Sequence, residues 1–194
     1  MRTSKYAKIG KSGAEDKFLK AFQKVEKSTF VMAESYAKRN VLLDGAVEAF
    51  REGHPENIQA MFAKLDQDWG KHSFMYRSAL ILIQLSEGRD DKSAIIDRAL
   101  AKVPEQGKKR ILNHVLVNAM GNHKGGEVFY AALLKSGASF DAALPIAHRD
   151  VYSSTYVDRL NLYKKAMSAG ESTLRFWCLA TWRFWPWLSC FSSR

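Results

Sequence analysis

Three glycines divide the middle of the chain at nearly even intervals: Gly53, Gly88 and Gly121 stand 35 and 33 residues apart. Each lies between two segments whose apolar residues recur at helical spacing. Leu42, Leu43, Ala46, Val47, Ala49 and Phe50 precede Gly53, and Ile58, Met61, Phe62 and Leu65 follow it. Tyr76, Ala79, Leu80, Leu82, Ile83 and Leu85 precede Gly88, and Ile95, Ile96, Ala99, Leu100 and Val103 follow. Ile111, Leu112, Val115, Leu116 and Ala119 lead to Gly121, and Val128, Ala132 and Leu133 lead away. Gly137 then stands where a helix C-cap is expected. A helix–turn–helix unit that recurs near every 33 residues narrows the fold sharply, because one hairpin cannot bury its apolar side alone and must stack on the next. The expectation is an all-α chain of stacked helical hairpins. Leu82, Ile83, Ile96, Leu116 and Leu133 are expected between neighbouring hairpins, and the Tyr76–Leu85 helix, the most apolar, at the centre.

Two stretches carry a more specific pattern. They are Gly53-His54-x-Glu56-x-Ile58-x-x-Met61-Phe62 and Ala132-Leu133-Leu134-x-x-Gly137-Ala138. Together with the period they resemble the ankyrin repeat, over roughly residues 41–170. The family's Thr-Pro-Leu-His opening is absent, and Pro145-Ile146-Ala147-His148 is at most an echo of it. The resemblance implies an ankyrin-like α-solenoid that binds a protein partner on its concave face, with no catalytic residues, cofactor or metal. It implies structural turn roles for Gly53, His54, Gly88, Gly121, His123 and Gly137, the histidine rings bonding loop backbone. The connection tips that would touch the partner are Gln67, Asp68, Trp69, Lys71, Gln106, Lys108, Lys109 and Phe140. Small basic proteins of this kind include host-directed effectors, so the expected location is the cytoplasm, or a host cell reached by a non-Sec route. An irregular bundle of helical hairpins is the alternative architecture.

Charge points to a second functional class. The formal net charge of the 194 residues is +10. Residues 1–39 hold 10 Lys/Arg against 4 Asp/Glu, whereas residues 40–170 hold 17 against 15. The body is therefore nearly neutral, and the basic excess sits at the N-terminus, where it could meet nucleic acid, anionic lipid or an acidic protein. Within the body, Lys108-Lys109-Arg110 is the sharpest basic cluster. A basic helical protein that binds nucleic acid through these two regions is the competing reading.

Residues 1–12 read as a flexible basic arm. Residues 13–40 read as an amphipathic capping helix, from about Ala14 to Lys38, with Phe18, Phe22, Val25, Met32 and Tyr36 on its apolar side and Lys17, Lys20, Lys24 and Lys27 mostly on another. Ser12 and Glu15 have the spacing of a capping box. Beyond Gly137, Phe140 to Ala147 and then Tyr156, Leu160, Tyr163, Ala166 and Met167 suit a fourth helix pair that stops at Gly170. Residues 171–194 change character, with Trp177, Trp182, Trp185 and Trp187 and no helical or strand period. That tail is expected outside the core. It suits a membrane-interface anchor, a peptide docking in a partner's groove, or a non-native end.

No catalytic signature emerges. Gly10-Lys11-Ser12 lacks the glycine that a phosphate loop needs five residues earlier, where Lys5 stands. His54, His72, His114, His123 and His148 have no partner at a metal-ligand spacing. Cys178 and Cys190, both in the tail, form no disulfide framework or zinc set. No Sec-type signal follows the basic N-terminus, and no apolar run reaches membrane-spanning length.

Overall fold

The computed structural model describes residues 3–27, 33–68, 75–122, 124–149 and 154–168. Among them are ten helices and no strand: α1 (Thr3–Lys11), α2 (Glu15–Lys27), α3 (Ala33–Arg51), α4 (Glu56–Gln67), α5 (Met75–Ser86), α6 (Lys92–Ala99), α7 (Glu105–Gly121), α8 (Gly126–Lys135), α9 (Phe140–Arg149) and α10 (Ser154–Ser168). The apolar stripes form one continuous core, from Ile9, Phe18 and Phe22 through Ile58, Leu82, Ile96 and Leu116 to Leu133 and Leu160. Of the five residues expected between hairpins, Leu82, Ile96, Leu116 and Leu133 are fully buried, and Ile83 is half-buried against the same core.

Helices α3, α5, α7 and α9 pack in succession as one row. Helices α4, α6 and α8 pack as a second, and α3/α4, α5/α6, α7/α8 and α9/α10 are the hairpins that join the sequence neighbours. Contacts at their ends show that α3, α5 and α7 run in one direction. The Arg51 guanidinium at the end of α3 donates to the Gln84 carbonyl near the end of α5 at 2.6 Å. Gly125, just past α7, lies over the Ile83 side chain, and the Ser139 N–H at the start of α9 donates to Asn113 Oδ1 midway along α7 at 2.8 Å. The second row is offset. Gln59 in the first turn of α4 reaches the Arg98 carbonyl near the end of α6, at 2.9 Å, and Ser136 just after α8 reaches the Ser93 carbonyl in the first turn of α6, at 3.3 Å. Starts meet ends there, so the hairpins are not superimposable copies.

The centre is α7 rather than α5. Every residue from Ile111 to Gly121 is buried, including Asn113, His114 and Asn118. Helix α7 touches α4, α5, α8, α9 and α10, which surround it. Mean apolarity favoured α5, but burial follows the number of neighbours. The two buried asparagines of α7 have specific partners: Asn113 caps the start of α9, and Asn118 Nδ2 donates to the His114 carbonyl at 2.9 Å.

Two of the turn glycines close helices in the same way. After α3, the Gly53 N–H bonds the Phe50 carbonyl and the His54 N–H bonds the Ala49 carbonyl; after α8, Gly137 and Ala138 repeat this with Leu134 and Leu133. This is the Schellman pattern, and it places the glycine in the left-handed region, at φ +105° for Gly53 and +112° for Gly137. Gly88 also has positive φ between α5 and α6. Gly121 corrects the expectation: it is the last residue of α7, and the left-handed positions between α7 and α8 are Gly125 and Gly126. Gly121 is small for another reason, since a Cβ there would collide with the ring of Tyr156 on α10. Pro104 is the cap residue of α7, and α6 ends at Ala99.

The N-terminal segment also differs from expectation. Residues 3–11 are not a loose arm but α1, laid along α3 in the broadest helix–helix contact of the fold. Two glycines permit it. A Cβ on Gly10 would overlap the Leu42 carbonyl oxygen and come within 3.0 Å of the Ala46 nitrogen, and one on Gly45 would lie 2.9 Å from the Ala7 carbonyl oxygen. The two backbones meet where neither residue has a side chain. Asn57, buried on α4, locks the crossing by donating to the Gly10 carbonyl at 2.7 Å and the Ser12 carbonyl at 2.6 Å. The Ser12 hydroxyl bonds back to the Ile9 carbonyl at 2.8 Å, so the Ser12–Glu15 capping box does not form; Glu15 pairs with Lys102 instead. The single helix expected over 14–38 is α2 and the start of α3. Phe18, Phe22 and Val25 are buried as expected, whereas Tyr36 is exposed, with the Arg39 guanidinium 4.3 Å above its ring. Met32 lies outside the described residues.

Candidate functional site

The connections between hairpins are where the sequence places partner contacts, and the fold brings together two helix ends that adjoin them, those of α4 and α7. Asp66, in the last turn of α4, lies directly over Gly107 in the first turn of α7. Its carboxylate and its carbonyl both accept from the Arg110 guanidinium, the carbonyl at 3.2 Å. A carboxylate at that place also suits the positive end of the α7 dipole. The end of α4 and the start of α7 thus meet. Gln67, Gln106 and Lys109 are exposed. Asp68 closes α4 and pairs with Lys64 at 3.0 Å. Phe140 is half-buried at the start of α9 and packs on the core. Trp69, Lys71 and His123 lie outside the described residues, as does the whole of residues 171–194 with its tryptophans and cysteines.

The basic cluster of the body is neutralised within the fold. Lys108 Nζ lies 2.8 Å from Asp97, Lys109 Nζ lies 3.9 Å from Glu105, and Arg110 holds Asp66. Sequence reasoning could not find two of these pairs, because Asp97 and Asp66 come from α6 and α4. The cluster therefore ties three helices together at one edge.

A second polar assembly was not legible at all. At the end of α7, the Arg159 guanidinium donates to the Gly121 carbonyl, and the Tyr156 hydroxyl donates to Asn122 Oδ1 at 3.1 Å. Asn122 Nδ2 in turn donates to the Asn118 carbonyl at 2.9 Å. Nearby, the Tyr130 hydroxyl reaches the Ala119 carbonyl at 3.3 Å, and its ring meets Tyr163 edge-on, centroids 5.5 Å apart. These groups satisfy carbonyls that a helix C-terminus leaves open, and Arg159 opposes the negative end of the dipole. Burial holds the Tyr130 phenol well above its ordinary range, reinforced by Tyr163. A phenol kept protonated in this way donates a hydrogen bond; it is not poised as a base or nucleophile.

His54 is exposed, and its backbone N–H makes the turn bond to Ala49. His148 is exposed on α9 and His114 is buried in α7. Among the described residues no group of three or more His, Cys, Asp or Glu side chains could hold a metal ion. No described helix is long and apolar enough to cross a membrane. Comparison with protein families, with curated proteins and with solved structures returned no match.

Proposed function

We propose that this protein is an ankyrin-like stack of helical hairpins that binds a protein partner along the edge formed by the connections between hairpins, and that it works without a cofactor. The observation that carries this reading is the shared direction of α3, α5 and α7. In a row of that kind the end of α4 and the start of α7 lie at one edge, opposite the corners at Gly53, Gly88 and Gly125. The Asp66–Arg110 contact supports it by joining the end of α4 to the start of α7. Exposed Gln67, Gln106 and Lys109 are the contact residues of this edge that the described residues offer. The cytoplasm, or a host cell entered as an effector, is the setting that fits the resemblance.

Site-specific photo-crosslinking tests it. A crosslinker at Gln67 or Gln106 should capture the same protein from cells that make the chain, whereas one at Glu52, on the opposite corner, should not. Equal capture from all three positions, capture from Glu52 alone, or none at Gln67 and Gln106 would refute the edge.

A further inference from the structure

Six described lysines of α1 and α2 face solvent, and all but Lys11, which pairs with Glu48, form a concentration of positive charge. Lys17, Lys20 and Lys24 follow one another at spacings of three and four, which places them in one stripe of α2 about 10 Å long. Lys5 and Lys8 add two more on α1, which touches α2. All five are exposed. Many other cations are matched: Lys11 with Glu48, Lys64 with Asp68, Lys102 with Glu15, Lys108 with Asp97, Arg110 with Asp66 and Lys164 with Asp141; exposed Lys124, Lys135 and Lys165 have no carboxylate pair among the described residues, but they are scattered singly before α8, at its end and on α10. Among the described residues no carboxylate pairs with Lys5, Lys8, Lys17, Lys20 or Lys24. The acids of α2 are turned to other tasks. Glu15 holds Lys102 and Glu26 lies 3.7 Å from buried Arg39, which leaves Asp16 as the exposed exception.

The identity of the ligand follows from what accompanies the charge. An interfacial helix needs a free apolar side to stay on a membrane, but α2 spends Phe18, Phe22 and Val25 on the core, and α1 spends Ile9. A protein interface is centred on exposed aromatic or aliphatic anchors. The large exposed hydrophobics among the described residues are Tyr36, Val128 and Met167, none of them on α1 or α2. What remains is a row of point charges on helices fixed to the core, with Gly10 and Gly45 in backbone contact beneath them. Such a row suits a polyanion with regularly spaced charge that needs no apolar anchor.

We propose that the lysine stripe of α2, together with Lys5 and Lys8 of the adjoining α1, binds the phosphodiester backbone of nucleic acid without sequence preference. This does not rest on the protein-binding edge, which lies at the hairpin connections and uses other residues.

Fluorescence anisotropy of the full chain with a labelled duplex DNA of arbitrary sequence tests the assignment. Five phosphate contacts give a log–log salt slope of about −4.5, a loss of about 500-fold in affinity between about 50 and about 200 mM salt. The triple variant Lys17→Gln, Lys20→Gln, Lys24→Gln should keep its helical circular dichroism and reduce the slope to about −1.8. The matching Lys→Arg triple variant should retain both affinity and slope. Three results overturn the proposal: no binding to the duplex, an unchanged slope in the Gln variant, or binding to anionic phosphatidylserine vesicles but not to the duplex. Failure here leaves crosslinking at Gln67 and Gln106 unaffected, so the two readings stand or fall separately.

Discussion

Replacing Gly10 by alanine tests the α1–α3 crossing directly. In an isolated helix the change would stabilise by about 1 kcal/mol, through propensity alone. Here the added methyl meets the Leu42 carbonyl oxygen, the Ala46 nitrogen and the Gly45 Cα, all of them backbone. Backbone does not swing aside as a side chain does, so α1 must lift from α3. Lifting it uncovers Ile9, 8% exposed in place, at about 1.5–3 kcal/mol. It also strains the two bonds from buried Asn57, where an unsatisfied amide costs about 1–3 kcal/mol. Set against the propensity gain, the net loss is about 2–4 kcal/mol. Urea denaturation of the full chain reads it as a midpoint lowered by about 1–2 M. Gly45→Ala, whose Cβ comes only to 2.9 Å from the Ala7 oxygen, should lose less. Gly13→Ala meets nothing within 4 Å and should be neutral or gain about 0.4–1 kcal/mol, by restricting the unfolded chain. Equal or raised midpoints for all three variants would refute the crossing and restore a loose N-terminal arm.

Leu82→Ala and Leu116→Ala, both at fully buried positions, should each cost about 2–5 kcal/mol by denaturant midpoint; unchanged midpoints would contradict the packing of the inner row. Gly121→Ala should displace Tyr156 and cost about 1–3 kcal/mol, with faster hydrogen exchange in α10; full protection of α10 would show that the contact is not used. Tyr130 gives a prediction for alkaline pH. Its folded pKa is raised, and the unfolded phenol titrates near about 10. The unfolded chain therefore loses its proton first, so this contribution is complete below about pH 10 and is lost as pH rises towards the folded value. Tyr130→Phe should flatten the decline in melting temperature above about pH 10; an unaltered decline would exclude Tyr130 as its source.

Much of the fold is written in local pattern. Phe18, Phe22 and Val25, or Ile58, Met61, Phe62 and Leu65, announce helices because a helix returns to the same face every three or four residues. Gly53 and Gly137 announce stops because only a residue without Cβ takes the left-handed position at no cost. These signals act within a few residues, so the chain alone determines most of the helices, though not α1, several of their ends and many of the residues that turn inward. What it could not determine is where those helices meet. Gly10 and Gly45 read as poor helix residues until α1 is laid on α3, and a missing side chain leaves no period to detect. Gly121 has the spacing of a turn, yet its smallness answers Tyr156 on a helix far along the chain. Lys108, Lys109 and Arg110 read as a binding cluster until α4 and α6 bring Asp66 and Asp97 beside two of them. Asn113, His114 and Asn118 make α7 look half-exposed, and only the five helices around it make it the centre. Apolar periodicity depends on neighbours in sequence, whereas close approach, charge pairing and burial of polar groups depend on neighbours in space, and only the tertiary structure supplies those.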